Sequence, residues 1–203
     1  MSFAEIAALT IHDVKNSLAQ LAGQAEARGD VATLLTALNA SEALTRLLIF
    51  YKSETSILRL AVDAHAPADL LVELGAENQS SASIMINIDC ASAPTLWFYD
   101  ETLVRMLLSN ALQNALRYAH SHITLAAREL DEFLEFVVHD DGDGYAASVL
   151  ADTGASAAIT PEGTGLGLRL ALRIAELHEN AGQRGTVILG NENGAVFILR
   201  LPK

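Results

Sequence analysis

Asp140-Asp141-Gly142-Asp143-Gly144 and, further on, Gly163-Thr164-Gly165-Leu166-Gly167-Leu168 are the stretches whose reading decides the fold. A glycine-rich loop lets backbone N–H groups approach phosphate oxygens with no Cβ in the way. The second loop opens into Arg169–His178, which reads as an amphipathic helix and would add the partial positive charge of its N-terminus. The first loop follows the strand-like run Phe133–Val138 and begins with a carboxylate, Asp140, able to accept from an adenine amine. Upstream lies a helical segment, Glu101 to Tyr118, carrying Asn110 and Asn114 at i,i+4, so that two amide oxygens can converge on one site. The order of these elements describes a domain built to hold a nucleotide.

Working outward, the flanking pattern is mixed. Ile57–Val62, Ser83–Ile88, Thr95–Phe98 and Ile123–Ala127 read as strands, and Ala66–Glu77 as a short helix opened by Pro67. Thr186–Leu189 and Val196–Leu199 form a hairpin around Asn191-Glu192-Asn193-Gly194. Helices interleave with hairpin-connected strands, so we expect an α/β sandwich with helices on one face of a mixed sheet. The small, polar stretch Ala146 to Pro161 reads as a mobile loop.

Residues 2 to about 54 have a different period. Ala4, Ala7, Ile11, Val14, Leu18, Leu21 and Ala25 alternate spacings of three and four; Ala37, Ala40, Leu44, Leu47 and Tyr51 do the same after a turn at Arg28-Gly29-Asp30. Two amphipathic helices cannot bury both faces alone, which predicts a hairpin that dimerises into a four-helix bundle. The expected fold class is therefore α+β, with a helical hairpin over 1–55 and a sandwich over 56–203.

Composition narrows the partners. The chain has 203 residues, 13 Lys plus Arg against 25 Asp plus Glu, and a net charge of −12. Such a surface repels nucleic acid and anionic membranes. Cys90 alone cannot make an internal disulfide, which fits a reducing compartment. The start, Met1-Ser2-Phe3-Ala4-Glu5, lacks a basic signal-peptide region, and runs such as Leu47–Tyr51 are too short to span a bilayer. We expect a cytoplasmic protein without a sensory domain. His65, His120, His122, His139 and His178 have no metal-like spacing and receive no role.

His12-Asp13-Val14-Lys15-Asn16, then Asn110-Ala111-Leu112-Gln113-Asn114-Ala115-Leu116-Arg117-Tyr118, then the two glycine loops, together resemble the core of a sensor histidine kinase of two-component signalling. The resemblance covers nearly the whole chain: a dimerisation and phosphotransfer hairpin, then an ATP-binding domain of the GHKL type. It implies that His12 is the phosphoacceptor, with Asn114 coordinating Mg²⁺, Asn110 close by and Arg117 near phosphate. It further implies that Asp140, Gly142 and Gly144 receive the adenine of ATP, and that Gly163, Thr164, Gly165, Leu166, Gly167 and Leu168 hinge a lid and contact phosphates. A receiver domain on a separate response regulator is the implied partner.

The residues themselves read compatibly. His12 stands roughly 130° round the helix from the midpoint of Ile11 and Val14, so it should face solvent. Asp13 can fix its tautomer, leaving one ring nitrogen nucleophilic, and Asn16, one turn on, can orient water for dephosphorylation. The sequence departs from the family's pattern at Ser17, where proline is usual, at Asp141 for asparagine, at Tyr145, and in having no phenylalanine between Gly144 and Gly163. Three other readings stay open: a dimeric histidine phosphotransferase that uses no ATP, a GHKL-type serine kinase, and a GHKL ATPase doing conformational work.

Overall fold

A computed structural model describes residues 3–55, 57–79, 84–151 and 165–203, with backbone only for 3–9. The chain divides into two compact units, Met1–Leu58 and Arg59–Lys203.

The first unit is a hairpin of α1 (Phe3–Ala27) and α2 (Val31–Glu54). Gly29, at φ +67°, supplies the left-handed residue that ends α1. Asp30 then caps α2, its carboxylate accepting from the Thr33 N–H at 3.1 Å and the Thr33 hydroxyl at 2.7 Å. The two helices meet through small residues, with Ala22, Ala25 and Ala37 buried. Val14, Leu21, Val31, Leu35, Leu38 and Leu47 stay 39–63% exposed. Val14 and Leu21, expected in the seam, thus keep much of their surface exposed in the single hairpin, although Leu21 lines a cleft with Ala32, Thr36 and Ala40 of α2. Ser17 donates to the Asp13 carbonyl at 3.1 Å and α1 runs through unbroken, as the missing proline predicts.

The second unit is a two-layer α/β sandwich. Its main sheet runs β2–β4–β5–β9–β8, where β2 is Met85–Ser92, β4 His122–Leu130, β5 Phe133–Asp140, β8 Thr186–Asn191 and β9 Ala195–Pro202. Only β2 and β4 pair in parallel, so the sheet is mixed. Strand alternation decides the faces. Ile123, Leu125, Leu134, Phe136, Val138, Phe197, Leu199 and Leu201 are buried beneath α3 (Pro67–Gln79), α4 (Glu101–Tyr118) and α6 (Leu166–Leu177). On the opposite face Glu135 is gripped from both neighbouring strands, by Arg128 at 2.8 Å and Arg200 at 2.9 Å. Pairs of this kind belong on a face that keeps its arginines partly in water.

Two expectations need correction. Ile57–Val62 is not a strand; β1 is Asp63–His65, pairing antiparallel with β3 (Trp97–Tyr99). Ile57 and Val62 are exposed, and β3 is only three residues long, so no strand among the described residues pairs with the apolar run before Asp63. The loop expected from Ala146 opens with a short helix, α5 (Ala147–Ala151), and the rest of that stretch lies outside the described residues. A two-residue hairpin, β6 (Glu179–Asn180) with β7 (Gln183–Arg184), follows α6 unforeseen.

Candidate functional site

The site is built on α4. Asp100 caps that helix, accepting from the Leu103 N–H at 3.0 Å through Oδ1 and from the Ala61 N–H at 2.8 Å through Oδ2. Its own N–H donates to His178 Nε2 at 3.1 Å, while His178 Nδ1 pairs with the Ile174 carbonyl at 2.8 Å. That arrangement defines the neutral Nδ1–H tautomer, and burial pushes the His178 pKa down. One histidine therefore ties the end of α6 to the start of α4. With Leu103, Val104, Leu107, Leu108, Ala111, Leu112 and Ala115 committed to the core, Asn110 is half-buried while Asn114 and Arg117 are exposed.

The first glycine loop is an extension of β5. Asp140 shares strand parity with Leu134, Phe136 and Val138, so it points into the helix layer and is 6% exposed. Its Oδ1 accepts from the Gly142 N–H at 2.9 Å and the Ala195 N–H at 3.1 Å. Asp141 turns the other way: its carboxylate accepts from the His120 N–H at 2.9 Å, the Ser121 N–H at 3.0 Å and the Ser121 hydroxyl at 2.6 Å. These donors, Ser121 foremost, hold its carboxyl well below the usual carboxylate range. An asparagine has one acceptor oxygen where aspartate has two, so the departure at 141 has a local physical reason.

Gly142 is required by closeness, since a Cβ there would come within 2.3 Å of the Tyr118 carbonyl oxygen at the end of α4. Gly144 sits at φ +81° with its would-be Cβ 2.8 Å from the Asn191 side chain. Asn191 in turn accepts from the Tyr145 N–H at 2.8 Å and donates to the Tyr145 carbonyl at 2.9 Å. Burial, with Asp140 adding to it, pushes the Tyr145 phenol up to about 12.

The second loop is described from Gly165, which takes φ +63° as the N-cap of α6. Gly163 and Thr164 lie outside the described residues. Gly167 packs on α4 so closely that a Cβ would meet Asn110 Nδ2 at 2.5 Å. The fold thus brings Asn110 against Gly167, and Asp140 and Gly142 against the C-terminal end of α4. His12, Asp13 and Asn16 belong to the hairpin unit, all three exposed. Ala195 and Ser121 escaped the sequence reading, and Asn191 drew notice only through the Asn-Glu-Asn-Gly turn signal, which specifies a hairpin rather than a contact. His178, given no role there, proves to be the tie between α6 and α4.

The donor set suits a Mg²⁺–nucleotide: amide oxygens on α4, a guanidinium one turn on, and a buried carboxylate whose two hydrogen bonds among the described residues both end on Oδ1. This set stands on a mixed sheet with its helices on one face, and likeness to known proteins gives the class to which such a domain belongs. The histidine kinase-, DNA gyrase B-, and HSP90-like ATPase family matches residues 99–203, and the chain belongs to that family. It carries the GHKL core of a sensor histidine kinase. The sensor protein PhoQ of Escherichia coli strain K12 is 32% identical over 146 residues, 70% of this chain and 30% of PhoQ. The chain thus spans about a third of that relative's length. Among solved structures, full-length ShkA in complex with AMPPNP superposes with a TM-score of 0.77 at 23% identity, over 99% of this chain and 46% of ShkA. The Acinetobacter baumannii histidine kinase AdeS gives 0.65 at 19% identity, over 93% of this chain and 94% of that one. Both likenesses are of fold. No helix among the described residues is long and apolar enough to cross a membrane.

Proposed function

We propose that the chain is an ATP-dependent protein-histidine kinase that phosphorylates His12 and passes the phosphoryl group to an aspartate of a separate receiver domain. The observation that carries this reading is the convergence of α4, the Asp140 loop and the N-terminus of α6, with Asn110 against Gly167 and Gly142 against Tyr118. Asp140 would accept the adenine amine through the oxygen that Gly142 and Ala195 leave free. Asn114, with Asn110 beside it, would hold Mg²⁺, and Arg117 and the amides that open α6 would balance phosphate charge. Bound Mg²⁺–ATP supplies the transferable γ-phosphoryl group. A ring nitrogen of exposed His12 would accept it, Asp13 fixing the other nitrogen, and Asn16 would orient water when the phosphoryl group is hydrolysed instead. Domain limits of 1–55 and 56–203 go with this reading. So does a homodimer: the exposed apolar residues along α1 and α2 support a second hairpin packing there.

The test is incubation of the purified chain with Mg²⁺ and γ-labelled ATP beside His12→Ala and Asn114→Ala. Acid-labile label on the wild type, lost in both variants, is the expected result. No label together with no nucleotide binding would overturn it and favour a phosphotransferase relaying between receivers without ATP. Acid-stable label on a partner would favour the serine kinase.

A further inference from the structure

The loop Asp140–Tyr145 is anchored at three places. Its near shoulder is fixed by the Asp141 carboxylate on His120 and Ser121. Its beginning is fixed by the Ala195 N–H on Asp140 Oδ1, and Gly194 lies so close to the Asp140 carbonyl that it could carry no side chain. Its far shoulder is held by Asn191, whose amide closes a two-way clamp on the main chain of Tyr145, 46 residues away in sequence, alongside the partial burial of the Tyr145 side chain and a 3.7 Å contact of Asp143 with His120. The β8–β9 turn therefore holds both ends of the loop.

Asn191 has the chemistry this clamp needs. One end of its amide accepts and the other donates, matching a backbone N–H and C=O side by side. Aspartate would turn a second acceptor on the Tyr145 carbonyl, and glutamine is a methylene too long. Gly144 and Asn191 are a matched pair, since the amide fills the space a Cβ at 144 would need. Asn191 is exposed, so burial does not hold it in place; the two hydrogen bonds do.

We propose that Asn191 is a positioning residue for the nucleotide base, acting through Tyr145 and Gly144 to hold the loop on which Asp140 meets an exocyclic amine. The inference rests on the ATP reading above and deepens it: Asn191 sets how well the site tells adenine from a base lacking that amine. Loosening the far shoulder lets the loop swing away from the base while leaving α4 and its asparagines in place. ATP binding suffers, and binding of inosine triphosphate, which offers no amine to Asp140, changes little.

The experiment uses the full chain as wild type, Asn191→Ala, Asn191→Asp and, as a control in the same turn, Glu192→Ala. Two quantities are read: amide hydrogen exchange at Tyr145 without nucleotide, and calorimetric binding of ATP and of inosine triphosphate. Asn191→Ala should exchange the Tyr145 amide about tenfold faster and bind ATP about tenfold more weakly, the effect of losing two ordinary hydrogen bonds. Asn191→Asp, which keeps an acceptor for the Tyr145 N–H but repels the Tyr145 carbonyl, should move both readouts the same way by less. Inosine triphosphate binding should change less than about twofold, so that the preference for ATP collapses, and Glu192→Ala should match wild type. Equal weakening toward both nucleotides, or an unchanged preference, would overturn the proposal. So would a Tyr145 amide that stays protected in Asn191→Ala. A wild type that binds neither nucleotide, with Tyr145 still deprotected in the variants, would overturn the ATP reading and this inference together, leaving the clamp as a purely structural contact.

Discussion

Substituting Gly142 by alanine should damage this protein more than the analogous change at Gly167, although both glycines belong to the same proposed site. At Gly142 the added Cβ would lie 2.3 Å from the Tyr118 carbonyl oxygen and 3.0 Å from its carbon. A relaxed carbon–oxygen separation is about 3.3 Å, so roughly 1 Å must open between the end of α4 and the loop. Neither partner can rotate away, because both are backbone. Overpacking of this kind costs typically ~1–3 kcal/mol, and a backbone obstacle puts the case at the upper end. Opening the gap also strains the 2.9 Å bond from the Gly142 N–H to Asp140. A total of about 3 kcal/mol corresponds to a fall in melting temperature of roughly 6–12 °C for a domain of this size. At Gly167 the obstacle is Asn110 Nδ2 at 2.5 Å, the far end of a side chain that can turn aside. There the added helix propensity of alanine, about 1 kcal/mol, offsets the rearrangement, and thermal stability should stay within a few degrees. The displaced Asn110 should instead weaken nucleotide binding. Thermal melts of the full chain, followed by circular dichroism, check both halves. A Gly142→Ala protein melting within about 2 °C of wild type would refute the reasoning, since the two elements could then separate at little cost.

Two further outcomes follow from the core. Phe136 is fully buried and meets Tyr99 edge-on at 5.7 Å, so Phe136→Ala should cost about 3–5 kcal/mol in urea unfolding, and a loss under about 1 kcal/mol would mean the core collapses around the gap. His178 has a folded-state pKa below its ordinary 6.5, so its contribution to stability is fully present above 6.5 and is lost as pH falls through the lowered value. Urea midpoints between pH 7.5 and 5 should therefore fall more steeply for wild type than for His178→Gln, and parallel slopes would exclude this histidine as the cause.

Much of this was legible in the sequence where local chemistry decides. The expected limits of α4, Glu101 to Tyr118, coincide with the observed ones, because Asp100 starts the helix and its apolar face is broad and periodic. The β8–β9 turn announced itself through Asn193-Gly194, and both residues do take positive φ. Ile57–Val62 misled because an apolar alternation says a segment can be a strand, whereas a strand also needs an edge to pair with. His178 and Asn191 were opaque for another reason. Each works through a contact with residues 78 and 46 positions away, and neither residue type carries a local sign of that partner. Asp141 read as a departure from pattern, and only the neighbouring N–H groups of His120 and Ser121 explain why a full carboxylate belongs there.

The order of strands sets a schedule for the nascent chain. Among the described strands β9 is the last to be synthesised, yet it is an inner member of the sheet, lying between β5 and β8. On the ribosome, β5 waits with one edge open and Asp140 lacks the Ala195 N–H that helps orient it. The glycine loops and α4 have by then been made, but the geometry that would recognise a base has not. The carboxylate proposed to read the base gains its full set of hydrogen-bond donors only once Ala195–Pro202 lies between β5 and β8. If the proposed base contact is right, a chain cut before β9 would leave Asp140 without its Ala195 partner and bind nucleotide more weakly.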